Sequence, residues 1–391
     1  MKVRPDHYTY LIIGGGMTAD AAVQGIRSLD RTGRIGILSQ ESDPPYDRPP
    51  LTKGLWFGKP VESISRKTDQ HHVDLLLDKT VVSIDPAAHT VTDQSGACYS
   101  YDKLLVATGG TPKCLDCPQE GVIYYRTLAD YRDLRDLYVQ GNDFVVIGGG
   151  FIGCEIAAAL TMNGKNVTLI LKDPTLGARR FPEQFSRFLS AYFTEQGVKL
   201  VPKGHVKSVV PLHDKWKVTT HREEAFFADG VIAGLGITPN IQLAQAAGAA
   251  CEDGIVVDEF LCSSLPDIWA AGDVANFYSP HLQKRLRIEH EDAANSMGSA
   301  AGRNMAGAHM AYTYLPSFYS DLFEISYEAI GEISSEMQIL EDWTDPNLRG
   351  TIYFLRDGRL KGALVVGMAD QIPKIREIIA SHQPFSLPQL A

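Results

Sequence analysis

Two glycine clusters and one basic loop hold the residues with chemistry to offer. Gly14-Gly15-Gly16-Met17-Thr18-Ala19 follows the apolar run 10–13, and Gly148-Gly149-Gly150-Phe151-Ile152-Gly153 follows the apolar run 144–147. In each cluster the first glycine allows a tight turn, and Gly16 or Gly150 lets the main chain approach a diphosphate at a helix N-terminus. The third position, Ala19 in one and Gly153 in the other, lies where helix and strand pack closely. A single such cluster is a weak sign, because glycine turns also close ordinary strand–helix units. Two of them, each with its own strand, turn and helix, predict two bound dinucleotides. The loop Pro44-Pro45-Tyr46-Asp47-Arg48-Pro49-Pro50-Leu51-Thr52-Lys53 is stiffened by its prolines. It carries Arg48 and Lys53 either toward a phosphate or reduced ring, or as solvated charges on a rigid surface.

The elements that must position these groups are legible as apolar runs. Ala19, Ala22, Val23, Ile26 and Leu29 recur at helical spacing after the first turn. The strand 35–39 ends at Gln40-Glu41, where an acid commonly binds ribose hydroxyls. Glu41 is the candidate, Gln40 shares the slot, and a solvated loop glutamate is the alternative. Segments 81–84 and 90–92 predict a hairpin. The buried strand 103–110 ends in Ala107-Thr108-Gly109, small enough for close backbone approach to a ligand. After the second turn come an alanine-rich helix, the strand 166–171, an amphipathic helix over 185–193, and 230–236 ending at Gly236. Segment 268–273 ends at Gly272-Asp273, where Asp273 either caps a helix or accepts a bond from a ligand hydroxyl. From Thr313 onward short strands alternate with turns before a final helix at 371–380.

Composition narrows the classes. At 391 residues, two or three domains are expected. A net charge of −10 gives no support to a nucleic-acid partner. No stretch reaches the roughly 18 apolar residues of a membrane helix, and the glycine turn begins too early to leave room for a signal peptide. The expectation is a cytoplasmic protein with no membrane association. Six cysteines in a chain of this length do not form a disulfide framework.

Taken together, the chain resembles the two-dinucleotide flavoprotein reductases over nearly its whole length. Within them it is similar to the branch of oxygenase-type ferredoxin reductases and apoptosis-inducing factor. Arg48-Pro49-Pro50-Leu51-Thr52-Lys53 matches that branch's proline loop, and Ala107-Thr108-Gly109 and Ala271-Gly272-Asp273 match its further FAD motifs. The resemblance implies an α/β fold with two Rossmann-like dinucleotide-binding domains and a small α+β C-terminal domain. FAD would occupy 1–119 and 244–312, NAD(P)H would occupy 120–243, and the C-terminal domain would span 313–391. Asp273 would bind the ribityl chain. Lys53 would sit near the flavin N5 and pair with Glu155 beside the nicotinamide, where a cation stabilises anionic reduced flavin; otherwise Glu155 is a helix N-terminal acid favoured by the dipole. Stretches 287–292, 317–321 and 327–331 look closer to apoptosis-inducing factor. They imply that His290, beside Glu289, lies near the isoalloxazine and that Tyr319 flanks it. The resemblance extends the cofactor-binding set to Met17, Thr18, Val82, Phe151, Ile152 and Gly236.

Coenzyme preference is mixed. Leu171 stands where many NAD enzymes place an acid, and Asp173 and Arg179 look similar to ribose-contacting positions. Asp173 favours NADH by repelling a 2′-phosphate, whereas Lys172, Arg179 and Arg180 draw toward NADPH. No cysteine accompanies the Arg48–Lys53 loop, so no disulfide there is placed to receive two electrons. Cys114-Leu115-Asp116-Cys117 is a C-x-x-C in a connecting loop, read as a pair without a catalytic role, with a redox relay or half a metal site as alternatives. The expected function is passage of electrons from NAD(P)H through FAD to a ferredoxin or rubredoxin by a monomer or homodimer. The alternatives are a redox-responsive interaction protein and an NADH oxidase.

Overall fold

The glycine-bounded apolar runs become buried parallel strands, as expected where helices cover both faces of a sheet. The computed structural model describes residues 6–117, 119–368 and 370–386. They gather into two compact units, 6–48, 61–111 and 238–316 in one, and 49–60, 112–237 and 317–386 in the other. Segment 49–60, which the sequence reading places within 1–119, gathers with the second unit.

In the first unit Asp6–Ile13 is flanked by Ile35–Leu38 and Cys98–Val106, all parallel, with Val73–Leu76 beyond Ile35–Leu38. Val81–Asp85 and Thr90–Asp93 form the expected hairpin and extend the sheet antiparallel from Cys98–Val106. Ile268–Ala270 returns to pair in parallel with the same strand, bringing its C-terminal end beside residue 106. The first glycine turn leads into helix Met17–Arg27, which packs against helix Glu291–Met305. Their backbones meet closely: a Cβ on Gly302 would lie 2.1 Å from the Ala22 carbonyl oxygen, and one on Gly298 would lie 2.4 Å from that of Thr18.

In the second unit the parallel order is Lys199–Val201, Asn166–Ile170, Asp143–Ile147, Gly230–Ala233, Val122–Tyr124. Helix Phe151–Met162 follows the second glycine turn. The C-terminal segment forms a five-stranded antiparallel sheet backed by helix Ile372–Ser381. The sequence reading places strands at 327–333, 350–355 and 360–366 and misses Ser317–Leu322 and Gln338–Asp345. The latter is an edge strand open to solvent, so it lacks the apolar alternation that marks a half-buried strand. Phe181 and Phe185, from the turn and helix Glu183–Glu195, meet this sheet edge-on at Tyr327 and tilted at Trp343, with ring centroids 5.6 and 5.8 Å apart.

Among the described residues, no helix is long and apolar enough to cross a membrane.

The Gly302 contact yields a direct test. Gly302→Ala forces backbone from backbone and is expected to destabilise the first unit by about 1–3 kcal/mol, read as a lowered thermal midpoint. An unchanged midpoint would show that the two helices can separate without loss.

Candidate functional site

The first glycine turn is built to leave amide donors open. Gly14 takes φ +110°, and a Cβ there would lie 2.2 Å from the Ala107 carbonyl oxygen, so glycine is required. Gly16 is the N-cap of helix Met17–Arg27 and has no side-chain cap. The nearest atom to a Cβ on Gly16 is Arg48 Nη2, at 4.0 Å. An uncapped helix N-terminus with a guanidinium above its glycine suits a diphosphate in charge, donors and space.

Glu41 accepts hydrogen bonds from Arg48 Nη2 at 2.5 Å and from the Tyr46 hydroxyl at 2.6 Å, while Gln40 is exposed. Burial disfavours the Arg48 cation, but Tyr46, Glu41 and Asp273 outweigh it and raise its pKa. Thr18 touches Gly272, where a Cβ would lie 2.3 Å from Thr18 Oγ1. Asp273 belongs to a short 3-10 turn, Gly272–Val274. Arg287, largely buried, donates to the Asp273 carbonyl at 3.2 Å and to Glu289 at 2.6 Å, and His290 is the N-cap residue of helix Glu291–Met305. Thr108 and Gly109 are clamped by Asn240, which donates to the Thr108 carbonyl at 3.0 Å and the Gly109 carbonyl at 3.0 Å. Met17 and Ala19 are buried, and Val82 lies on the hairpin with 55 % exposure.

Asp20, in the first turn of the same helix, is 0 % exposed. It accepts hydrogen bonds from Arg66 Nε at 2.7 Å, Thr68 Oγ1 at 2.6 Å and Gln24 Nε2 at 2.7 Å. Arg66 also reaches Asp47 at 2.6 Å and Asn295 at 2.9 Å. Sequence reasoning missed this network, as it missed Asn240. An aspartate among apolar helix positions was the only available signal.

In the second unit the proline segment folds as two short 3-10 turns, Pro49–Thr52 and Gly54–Phe57, not as an open loop. The Leu51 carbonyl accepts bonds from Trp56 Nε1 at 2.9 Å and the Tyr125 hydroxyl at 2.5 Å, which fixes the backbone beside Lys53. Lys53 Nζ lies 2.7 Å from Glu155 Oε2, with side-chain exposures of 16 % and 4 %. The same carboxylate accepts from Thr52 Oγ1 at 2.5 Å and Ser320 Oγ at 2.6 Å. Lys53 Nζ also sits 5.1 Å from the Tyr319 ring centroid, within cation–π range. Glu155 is therefore the acceptor of a buried cluster, which a dipole-favoured surface acid would not be. Thr52 and Ser320 were not singled out from the sequence, although both lie in stretches that were.

The second glycine turn repeats the logic of the first. Gly150 is an uncapped N-cap, and the nearest atom to a Cβ on it is 3.9 Å away. A Cβ on Gly148 would lie 2.3 Å from the Gly234 carbonyl, and one on Gly153 would lie 1.9 Å from that of Gly148. These residues fit a second dinucleotide. The Phe151 ring is 4.9 Å from Phe318 and 4.8 Å from the Arg180 guanidinium, with Ile152 partly exposed beside it. Asp173 and Arg179 form an ion pair at 2.9 Å, and Gly236 takes φ +84°.

All six cysteines are free thiols. Burial and Asp116 push the Cys117 thiol up, and burial pushes Cys154 up to about 12, so neither is an activated thiolate.

A family model described as pyridine nucleotide-disulphide oxidoreductase matches residues 8–298. The anthranilate 1,2-dioxygenase system ferredoxin–NAD(+) reductase component of Burkholderia cepacia is 31 % identical, over 95 % of this chain and 94 % of that protein. Apoptosis-inducing factor 1, mitochondrial, of Dictyostelium discoideum is 30 % identical, over 97 % of this chain and 79 % of that protein. The crystal structure of the covalent putidaredoxin reductase–putidaredoxin complex aligns with a TM-score of 0.90 at 28 % identity, covering 98 % of this chain and 95 % of the matched one.

The buried carboxylate beside the first glycine turn gives a second test. Asp20→Ala leaves the Arg66 guanidinium without its buried partner and is expected to cost about 3–5 kcal/mol, read as a lower urea midpoint. An unchanged midpoint would contradict the account of this network.

Proposed function

The chain belongs to the pyridine nucleotide-disulphide oxidoreductase family, and from that premise we propose that it passes electrons from NAD(P)H through FAD to a small redox protein of the ferredoxin or rubredoxin kind. The observation that carries the proposal is the buried Lys53–Glu155 pair beside an uncapped second glycine turn. We assign FAD to 1–119 and 244–312, NAD(P)H to 120–243, and a separate supporting role to 313–391. Bound FAD supplies the chemistry, taking a hydride from reduced nicotinamide and releasing its electrons singly.

The residues do the rest. Gly14, Gly16, Met17, Thr18 and Ala19 form the diphosphate turn, with Arg48 balancing its charge. Gln40, Glu41, Val82, Ala107, Thr108, Gly109, Gly272, Asp273, Glu289 and His290 complete the FAD set. Gly148, Gly150, Phe151, Ile152, Gly153, Asp173, Arg179 and Gly236 serve the nicotinamide coenzyme. Lys53 supplies a fixed cation where negative charge develops, Glu155 fixes its direction, and Tyr319 covers it. NADH is the preferred donor in this reading, because the Asp173 carboxylate repels a 2′-phosphate. The six free thiols suit a cytoplasmic setting. A second reading, a redox-responsive interaction protein, is favoured by the half-exposed Tyr319 ring above Lys53 and by the similarity to apoptosis-inducing factor.

The test is a single substitution in the holoenzyme. Lys53→Met is expected to slow reduction of bound FAD by NADH roughly a hundredfold while FAD stays bound, as read by anaerobic stopped-flow absorbance. Reduction at the wild-type rate would remove Lys53 from the chemistry.

A further inference from the structure

The Lys53–Glu155 pair is held from a direction that the glycine turn and the proline segment do not supply. Ser320 lies on strand Ser317–Leu322 and is 0 % exposed. Its hydroxyl donates to Glu155 Oε1 at 2.6 Å, whereas Lys53 and Thr52 both engage Oε2. The two carboxylate oxygens are thus held by different segments, and this prevents the group from rotating about its terminal bond. Tyr327 stands directly opposite Ser320 in the antiparallel register. Tyr327 is itself buried. A serine hydroxyl has one proton, and here it goes to Glu155. The result is a directed chain, Ser320 to Glu155, ending at the Lys53 ammonium.

We propose that Ser320 is a positioning residue that sets the direction of the Glu155 carboxylate and, through it, the place of the Lys53 cation. The C-terminal sheet then has a part in the reaction beyond packing: it tunes a charge that the other segments deliver. The proposal rests on the reading that Lys53 acts on bound FAD.

The test compares Ser320→Ala, Tyr327→Phe and Lys53→Met with the wild-type holoenzyme in two readouts that do not require turnover. One is the rate at which an amine-selective acylating reagent modifies Lys53, followed by peptide mass spectrometry, in all but Lys53→Met. The other is the midpoint potential of the bound flavin. Ser320→Ala is expected to raise Lys53 labelling severalfold and to move the flavin potential in the same direction as Lys53→Met, whereas Tyr327→Phe, a control at the position opposite Ser320, is expected to leave both near wild type. Thermal midpoints, measured alongside, separate these effects from unfolding. If Lys53→Met shifts the potential but Ser320→Ala changes neither readout, Ser320 only packs and the proposal fails while the reading of Lys53 stands. If Lys53→Met leaves the potential unmoved, the reading of Lys53 fails and takes the proposal with it.

Discussion

A buried charge without a partner is among the most costly features a fold can contain. Glu155 would be such a charge without its three partners, and much of the second unit can be read as the means of satisfying it. It lies on helix Phe151–Met162, past the first turn. Lys53 and Thr52 come from the proline segment, and Ser320 comes from the C-terminal sheet. Three stretches of chain distant in sequence must therefore fold correctly before the carboxylate is satisfied. The Leu51 carbonyl, held by Trp56 and Tyr125, is one of the fixed points that make this geometry reproducible.

The first unit shows a complementary constraint, that of close backbone approach. Glycines at 14, 298 and 302 each meet a carbonyl oxygen at distances that no side chain could tolerate. The same absence of side chains that packs helix against helix leaves the turn at Gly16 open, with the Arg48 guanidinium above it. Asp20, Arg66, Thr68 and Asn295 form a polar network beside the turn. Packing and anion readiness thus come from one design, in which the backbone does what side chains do elsewhere.

The sequence made the parallel strands and both turns legible, because apolar runs ending in glycine admit few other readings. It also carried Lys53, Glu155 and Tyr319, through resemblance more than through spacing. It did not carry what depends on three-dimensional pairing. Ser320 is an ordinary serine in a strand until the register sets it against Glu155 and Tyr327. Asn240 is a loop amide until it clamps Thr108 and Gly109. Edge strand Gln338–Asp345 escaped because solvent on its outer side removes the alternation that reveals a strand. Glu41, read as free to meet a ribose, already bonds to Arg48 and Tyr46.

These features describe a fixed cation next to a dinucleotide turn, with burial pushing the Cys117, Cys154, Cys251 and Cys262 thiols up. That arrangement suits a flavoprotein that receives electrons in pairs and gives them up singly. The measurement that tests this most directly is anaerobic reduction of the holoenzyme with NADH, followed by rapid mixing with an oxidised ferredoxin or rubredoxin. The account predicts prompt recovery of the oxidised flavin spectrum, matched by carrier reduction at two carriers per flavin. A long-wavelength charge-transfer band that persists through carrier addition and through air would contradict it.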